Sequence, residues 1–211
     1  MGKRNKQKRI GLIEGFDNVY QDSDLLLLKD FFSPQKPLVL ELGCGKGTYT
    51  TSLAEMFPEK NFVGVDVKGE RIFIGAKYAR MHNLSNVRFV RGAVNNLTQY
   101  IDPQSVAEIW ITFPDPFPRK KQAKHRLTSP KFLQMYKKVL VPGGKMHLKT
   151  DDLDLFEYTL EVVQDNGGKI LQAIANIYQE ENLDPVLQIQ TDFEKKHLAK
   201  GRKIYYLQAM M

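Results

Sequence analysis

Residues 37–48 read PLVLELGCGKGT, and this order decides the fold. Residues 37–41 are a short apolar run, the pattern of a strand buried on both faces. The run breaks at Gly43-Cys44-Gly45-Lys46-Gly47, and residues 48–57 continue with helical spacing. The same alternation extends down the chain. Residues 61–66 (NFVGVD) read as a second strand, 70–83 as a helix, 87–90 as a third strand and 107–113 (AEIWITF) as a fourth. Thr128-Ser129-Pro130 places a cap residue and a first-turn proline at the start of a helix that ends before Pro142-Gly143-Gly144. A fifth strand follows at 145–150, then a helix at about 154–166 closed by Asn166-Gly167-Gly168, and last strands at 170–178 and 203–209. Strands alternating with helices imply an α/β protein with a doubly wound, mostly parallel, seven-stranded sheet. Ligands on such a sheet bind beyond the carboxyl ends of the strands. Chemistry is therefore expected just after Leu40, Val65, Val90, Ile111 and Lys149.

The chain has 211 residues, 42% hydrophobic and 26% charged, enough for one sizeable α/β domain. No apolar run approaches the roughly 18 residues that would span a membrane. The basic start has no apolar stretch behind it, so no signal peptide is expected. One cysteine, Cys44, excludes an intrachain disulfide, and the four histidines show no zinc spacing. The expectation is a cytoplasmic, metal-free protein, with a basic arm and lead-in over residues 1–34, mobile over residues 1–9, and the folded domain over 35–211.

The net charge of +7 is unevenly placed. Residues 1–9 and 116–150 together hold fifteen Lys or Arg and no acid, so the remainder of the chain carries −8. Such segregation points to a polyanionic partner.

In the glycine loop, a carboxylate, Glu41, precedes Gly43, Gly45 and Gly47, and Asp66 ends the next strand. Glycines allow the tight turn and close approach of a ligand, and the acid can accept hydrogen bonds from both ribose hydroxyls. A dinucleotide fingerprint would need a third glycine where Thr48 stands. An acidic lining instead suits a cationic cofactor without phosphates. Cys44 sits in this loop rather than near a target base, so it reads as a small apolar residue and not as a nucleophile. Trp110, in mid-strand, reads as core.

Thr112-Phe113-Pro114-Asp115-Pro116-Phe117-Pro118 follows the fourth strand. Alternating prolines fix φ and stiffen the mount of Asp115. A rigid carboxylate there can accept hydrogen bonds from a guanine edge and stabilise developing positive charge. Arg119, Lys120, Lys121, Lys124, His125 and Arg126 come next, a loop able to hold phosphates beside the reacting centre.

These features resemble the tRNA (guanine-N7-)-methyltransferase family, in its single-subunit bacterial form. The resemblance rests on Glu41 to Gly47, on Pro114 to Arg126, on Thr150-Asp151, and on Thr191-Asp192-Phe193-Glu194 before Gly201. It covers about residues 35–207. It implies a class I, Rossmann-like methyltransferase fold and S-adenosyl-L-methionine as cofactor. It implies transfer to N7 of guanine in the tRNA variable loop, at position 46. By the same resemblance Glu41, Gly43, Gly45, Asp66, Gly92, Ala93, Asn95 and Asp115 bind the cofactor, and Asp115 is also catalytic. Arg119, Asp151, Thr191, Asp192, Phe193 and Glu194 bind substrate, while Lys120, Lys121, Lys124, His125 and Arg126 bind RNA. The chain departs from the pattern at Phe117, where the family has Trp, at Arg119, where it has Lys, and at Gln122, where it has His. It departs again at Gly92, where an acid or amide is usual, with Asn95 the nearby substitute. No membrane and no obligatory protein partner are implied, and the protein would act as a monomer or homodimer. A class I methyltransferase acting on another RNA base or a protein, and a catalytically silent RNA-binding module on the same fold, remain open on these residues.

The charge pattern generates a test. Changing Lys120, Lys121 and Lys124 together to Ala should weaken tRNA binding. Each lost phosphate contact should reduce the log–log salt slope by somewhat under ~1. Titration at several salt concentrations, with cofactor affinity as the control, reads this directly.

Overall fold

The computed structural model describes residues 3–21, 25, 28–31 and 36–211, and the chain divides into two units, Met1–Asp102 and Pro103–Met211. The first unit contains α1 (Lys3–Ile13), β1 (Val19–Gln21), α2 (Leu28–Phe31), β2 (Leu38–Leu42), α3 (Thr48–Met56), β3 (Asn61–Asp66), α4 (Gly69–Met81), β4 (Val87–Arg91) and α5 (Leu97–Tyr100). Its strands run in the order β1-β4-β3-β2, all parallel. Every residue of β2 and β3 is buried, as continuous apolar runs in a parallel sheet require. Asn86 closes the turn ahead of β4: its amide donates to the carbonyls of Ala54, Phe57 and Lys60 at 3.1, 3.3 and 3.1 Å.

The sequence reading of seven strands is corrected here to eight among the described residues. The additional one is β1, which pairs with β4 through Val19↔Phe89, Tyr20↔Val90 and Gln21↔Arg91. Three residues carry no readable period, so this strand exists only through its partner. The lead-in segment expected to precede the domain thus contributes to the sheet. A helix also forms from Lys3, where a mobile arm was expected; Met1 and Gly2 lie outside the described residues. Ile13 is buried, and the Arg9 guanidinium lies 5.6 Å from the Phe73 ring centre on α4.

The second unit contains β5 (Val106–Thr112), α6 (Pro130–Val139), β6 (Leu140–Thr150), α7 (Leu153–Asp165), β7 (Lys169–Ile174), α8 (Asp192–Leu198) and β8 (Tyr205–Met210). The order is β5-β6-β8-β7, with β5 and β6 parallel and β8 antiparallel to both its neighbours. Trp110 is buried, as expected, and stacks on His147 with ring centres 4.0 Å apart. The fifth strand begins earlier than its sequence pattern, at Leu140. Pro142-Gly143-Gly144 is absorbed as an irregularity where pairing jumps from Val106↔Leu140 to Glu108↔Lys145. No helix among the described residues is long and apolar enough to cross a membrane.

Lys149, near the end of β6, is fully buried. Its ammonium donates to the carbonyls of Leu187 and Ile189, both at 2.8 Å, and lies 2.8 and 2.9 Å from the two carboxylate oxygens of Glu194. Glu194 is equally buried and accepts a hydrogen bond from the Tyr178 hydroxyl at 2.7 Å. Burial pushes the lysine pKa down, and the Glu194 carboxylate opposes that shift. Removing one partner of such a pair strands a charge in low dielectric. Lys149→Met should therefore destabilise the protein by about 3–5 kcal/mol in urea denaturation. The double change Lys149→Met, Glu194→Gln should lose less than the two single changes added together.

Candidate active site

The first unit builds a cradle at the ends of β2, β3 and β4. The amides of Gly43 and Cys44 both donate to the Val65 carbonyl, at 2.8 and 3.0 Å, which folds the glycine loop back over β3. Gly43, Gly45 and Gly47 all have positive φ (76°, 55° and 68°). At Gly47 a side chain is doubly excluded, because a Cβ would lie 2.5 Å from the Phe89 ring. At Gly45 a Cβ would meet nothing within 4 Å, so the loop presents bare backbone to open space.

Two carboxylates brace this loop. Glu41 is buried and accepts hydrogen bonds from the Thr50 backbone amide, at 2.8 Å, and from the Thr50 hydroxyl. It thereby ties β2 to the first turn of α3, where a negative charge also meets the helix dipole favourably. Asp66 accepts from the Gly45 amide at 2.9 Å through one oxygen and from the Lys68 amide at 2.8 Å through the other. Both bonds come from backbone, so the carboxylate is fixed in orientation. A cavity of about 250 Å³, lined by Gln21, Val67, Arg91, Gly92 and Ala93, opens on this unit. Asn95 is exposed on the following turn and is not among the lining residues.

These groups fit S-adenosylmethionine. They combine an oriented acid for a ribose, an open glycine face and a cavity whose lining includes the exposed apolar Val67. Glu41 and Asp66 put two carboxylates at this loop, which suits a sulfonium cation. The Cys44 thiol is raised well above its ordinary pKa, first by burial and then by Glu41 and Asp66. It packs where a Cβ on Gly64 would lie 2.9 Å from its sulfur. It is a neutral packing residue, as its position in the sequence implied.

The second unit carries the Pro-Asp-Pro loop. Asp115 is exposed. The backbone on either side of it is held in the left-handed region, with φ 50° at Phe113 and 44° at Phe117. Each such non-glycine residue costs on the order of 1–3 kcal/mol and persists only where its surroundings over-determine it. The Phe113 amide donates to the Lys149 carbonyl at 2.8 Å, which anchors the loop to β6. Beyond the loop, Lys120–His125 form a 3-10 turn. Arg119, Lys120, Lys121, Lys124 and His125 are exposed on this stretch, whereas Arg126 is buried.

Asp151 and the Thr191–Glu194 segment come together in the same unit. One Asp151 oxygen lies 2.6 Å from both His197 Nδ1 and an Arg202 guanidinium nitrogen. The Thr191 hydroxyl caps α8 by accepting from the Glu194 amide at 3.1 Å. Asp192 is exposed. Phe193 is exposed as well and stacks on His197 with ring centres 4.0 Å apart, while Phe113 lies 5.4 Å on its other contact. Glu194, grouped with the substrate residues by sequence, turns inward to Lys149. Lys149, Tyr178, His197 and Arg202 have structural roles at this site that sequence reasoning missed.

A family model described as a putative methyltransferase matches residues 35–207. A tRNA (guanine-N(7)-)-methyltransferase of Christiangramia forsetii is 44% identical over 98% of both chains. One of Cytophaga hutchinsonii is 41% identical over 84% of this chain and 81% of its own. Among solved structures, the 16S rRNA methyltransferase KamB shares 16% identity with a TM-score of 0.66, over 87% of this chain and 92% of that one. A SAM-dependent methyltransferase from Aquifex aeolicus shares 18% identity with a TM-score of 0.58, over 97% of both. These two likenesses concern the fold, which is the Rossmann-like α/β fold of class I methyltransferases. With relatives this similar along nearly its whole length, the chain belongs to the tRNA (guanine-N(7)-)-methyltransferase family.

Proposed function

We propose that this protein transfers the methyl group of S-adenosylmethionine to N7 of a guanine in tRNA, at variable-loop position 46. The observation that carries the reading is the pinned Pro114-Asp115-Pro116 loop, which presents an exposed carboxylate directly ahead of an exposed basic turn. The cofactor supplies an electrophilic methyl on a positively charged sulfur. Asp66 holds the ribose, Gly43 and Gly45 allow close backbone approach, and Gly92, Ala93 and Asn95 border the adenine. Glu41 keeps the loop on α3 and adds negative charge near the sulfonium.

Guanine N7 has its own lone pair, so no proton must be removed before transfer. With the cofactor bound, N7 would displace its methyl carbon from sulfur, the carbon–sulfur electron pair staying with the sulfur. The positive charge passes to the purine ring. Asp115 accepts hydrogen bonds from the guanine edge, aligns N7 with the methyl group and stabilises the charge arriving on the base. Arg119, Asp151, Thr191, Asp192 and Phe193 contact the nucleotide, and Glu194 supports them from beneath through Lys149. Lys120, Lys121, Lys124 and His125 hold phosphates. The enzyme needs no metal and no protein partner, acts as a monomer or homodimer, and works in the cytoplasm.

Incubation with labelled cofactor and unmodified tRNA, followed by nucleoside analysis, should yield 7-methylguanosine. Methylation at another atom alone would overturn the assignment. Asp66→Ala should weaken cofactor binding by about 1.5–3 kcal/mol in calorimetry, the worth of a charged hydrogen bond, with tRNA affinity unchanged. Asp115→Ala should lower the single-turnover rate by a factor of order 10² with both substrates saturating. A full rate in that variant would place the chemistry elsewhere.

A further inference from the structure

We propose that Arg126, although it closes the basic run, binds no phosphate. It is instead the positioning residue that holds Asp115 in the geometry of methyl transfer, an inference that rests on the function proposed above. Its neighbours Lys120, Lys121, Lys124 and His125 are exposed, but Arg126 is only 7% exposed. Two of its guanidinium nitrogens donate to carbonyls of the Pro-Asp-Pro loop. Nε donates to the Pro116 carbonyl at 2.8 Å, and a terminal nitrogen donates to the Phe117 carbonyl at 3.2 Å. One face of the group lies 4.3 Å from the centre of the Tyr158 ring on α7. A phosphate would have to displace these contacts and enter a buried site.

The two bonds supply a constraint that the prolines do not. Proline fixes φ at residues 114, 116 and 118 but leaves ψ open. Gripping the successive carbonyls of Pro116 and Phe117 sets the peptide planes on either side of Phe117. That residue carries the strained φ of 44°. Phe113, on the other side of Asp115, is anchored through its amide to Lys149. Asp115 therefore hangs between two fixed points, one on β6 and one on Arg126. Arg126 is itself held: its carbonyl accepts from the Ser129 amide at 2.9 Å, and the hydroxyls of Thr128 and of Thr159 on α7 are hydrogen-bonded to each other at 2.8 Å. A planar guanidinium can bridge two adjacent carbonyls while lying flat against a ring; a lysine ammonium has no plane to stack, so Lys cannot reproduce this geometry.

The test compares Arg126→Lys and Arg126→Ala with the wild type in three measurements. These are single-turnover methylation, tRNA titration against salt, and hydrogen exchange of the peptide spanning residues 113–119. In Arg126→Lys the single-turnover rate should fall at least tenfold and exchange of that peptide should quicken. In both variants tRNA affinity should stay within twofold, with an unchanged salt slope. Weaker tRNA binding with a flatter slope in Arg126→Ala would overturn the proposal and make Arg126 a phosphate ligand. So would a wild-type rate, or unchanged exchange, in Arg126→Lys. That variant keeps the charge and most of the stem, so it decides the matter if Arg126→Ala fails to fold. If the wild type makes no 7-methylguanosine but exchange still quickens in Arg126→Lys, the functional reading falls and the hold on the loop stands.

Discussion

A buried ammonium organises the second unit. Lys149 has three protons to place in a site closed to water, and they go to two backbone carbonyls and one carboxylate. The carbonyls belong to Leu187 and Ile189, which flank the end of the 3-10 turn Pro185–Gln188, and the carboxylate belongs to α8. The same residue's own carbonyl receives the Phe113 amide. One side chain and its peptide thus fasten the segment before α8, the helix itself and the start of the Pro-Asp-Pro loop to β6. Desolvating these charges is unfavourable, and removing either one would leave the other buried without its partner.

Electrostatics divides the chain into two kinds of surface. The first unit sets the buried carboxylates of Glu41 and Asp66 against a loop of bare glycine backbone, where they hold its amides. In the second unit a basic turn follows directly after an exposed acid on a stiff loop. Under the proposed function the acid meets the purine edge and the bases meet the phosphates around it. The neutral thiol of Cys44, raised by burial and the two neighbouring acids, fits a reaction without a protein nucleophile.

Two devices constrain the Pro-Asp-Pro loop, and they act on different torsions. The prolines settle φ locally, from within the loop. The Lys149 carbonyl and the Arg126 guanidinium settle the peptide planes from outside it. The strained φ values at Phe113 and Phe117 are compatible with stability because each lies beside one of these anchors.

The sequence by itself determined the elements whose signal is local. The run at 61–66 became β3 residue for residue, the helix after the glycine loop began at Thr48 as its spacing required, and the glycines marked the turn between β2 and α3. These depend on near-neighbour sterics and periodicity. Tertiary structure alone decided what depends on distant partners. β1 is too short to show a period and exists by pairing with β4. Arg126 looked like one more surface charge until the carbonyls of Pro116 and Phe117 and the ring of Tyr158 enclosed it. Glu194 looked like a substrate reader until Lys149, 45 residues earlier, drew it inward. A charge shows its type in the sequence, but whether it faces water or a buried partner is settled only when the chain brings the two together.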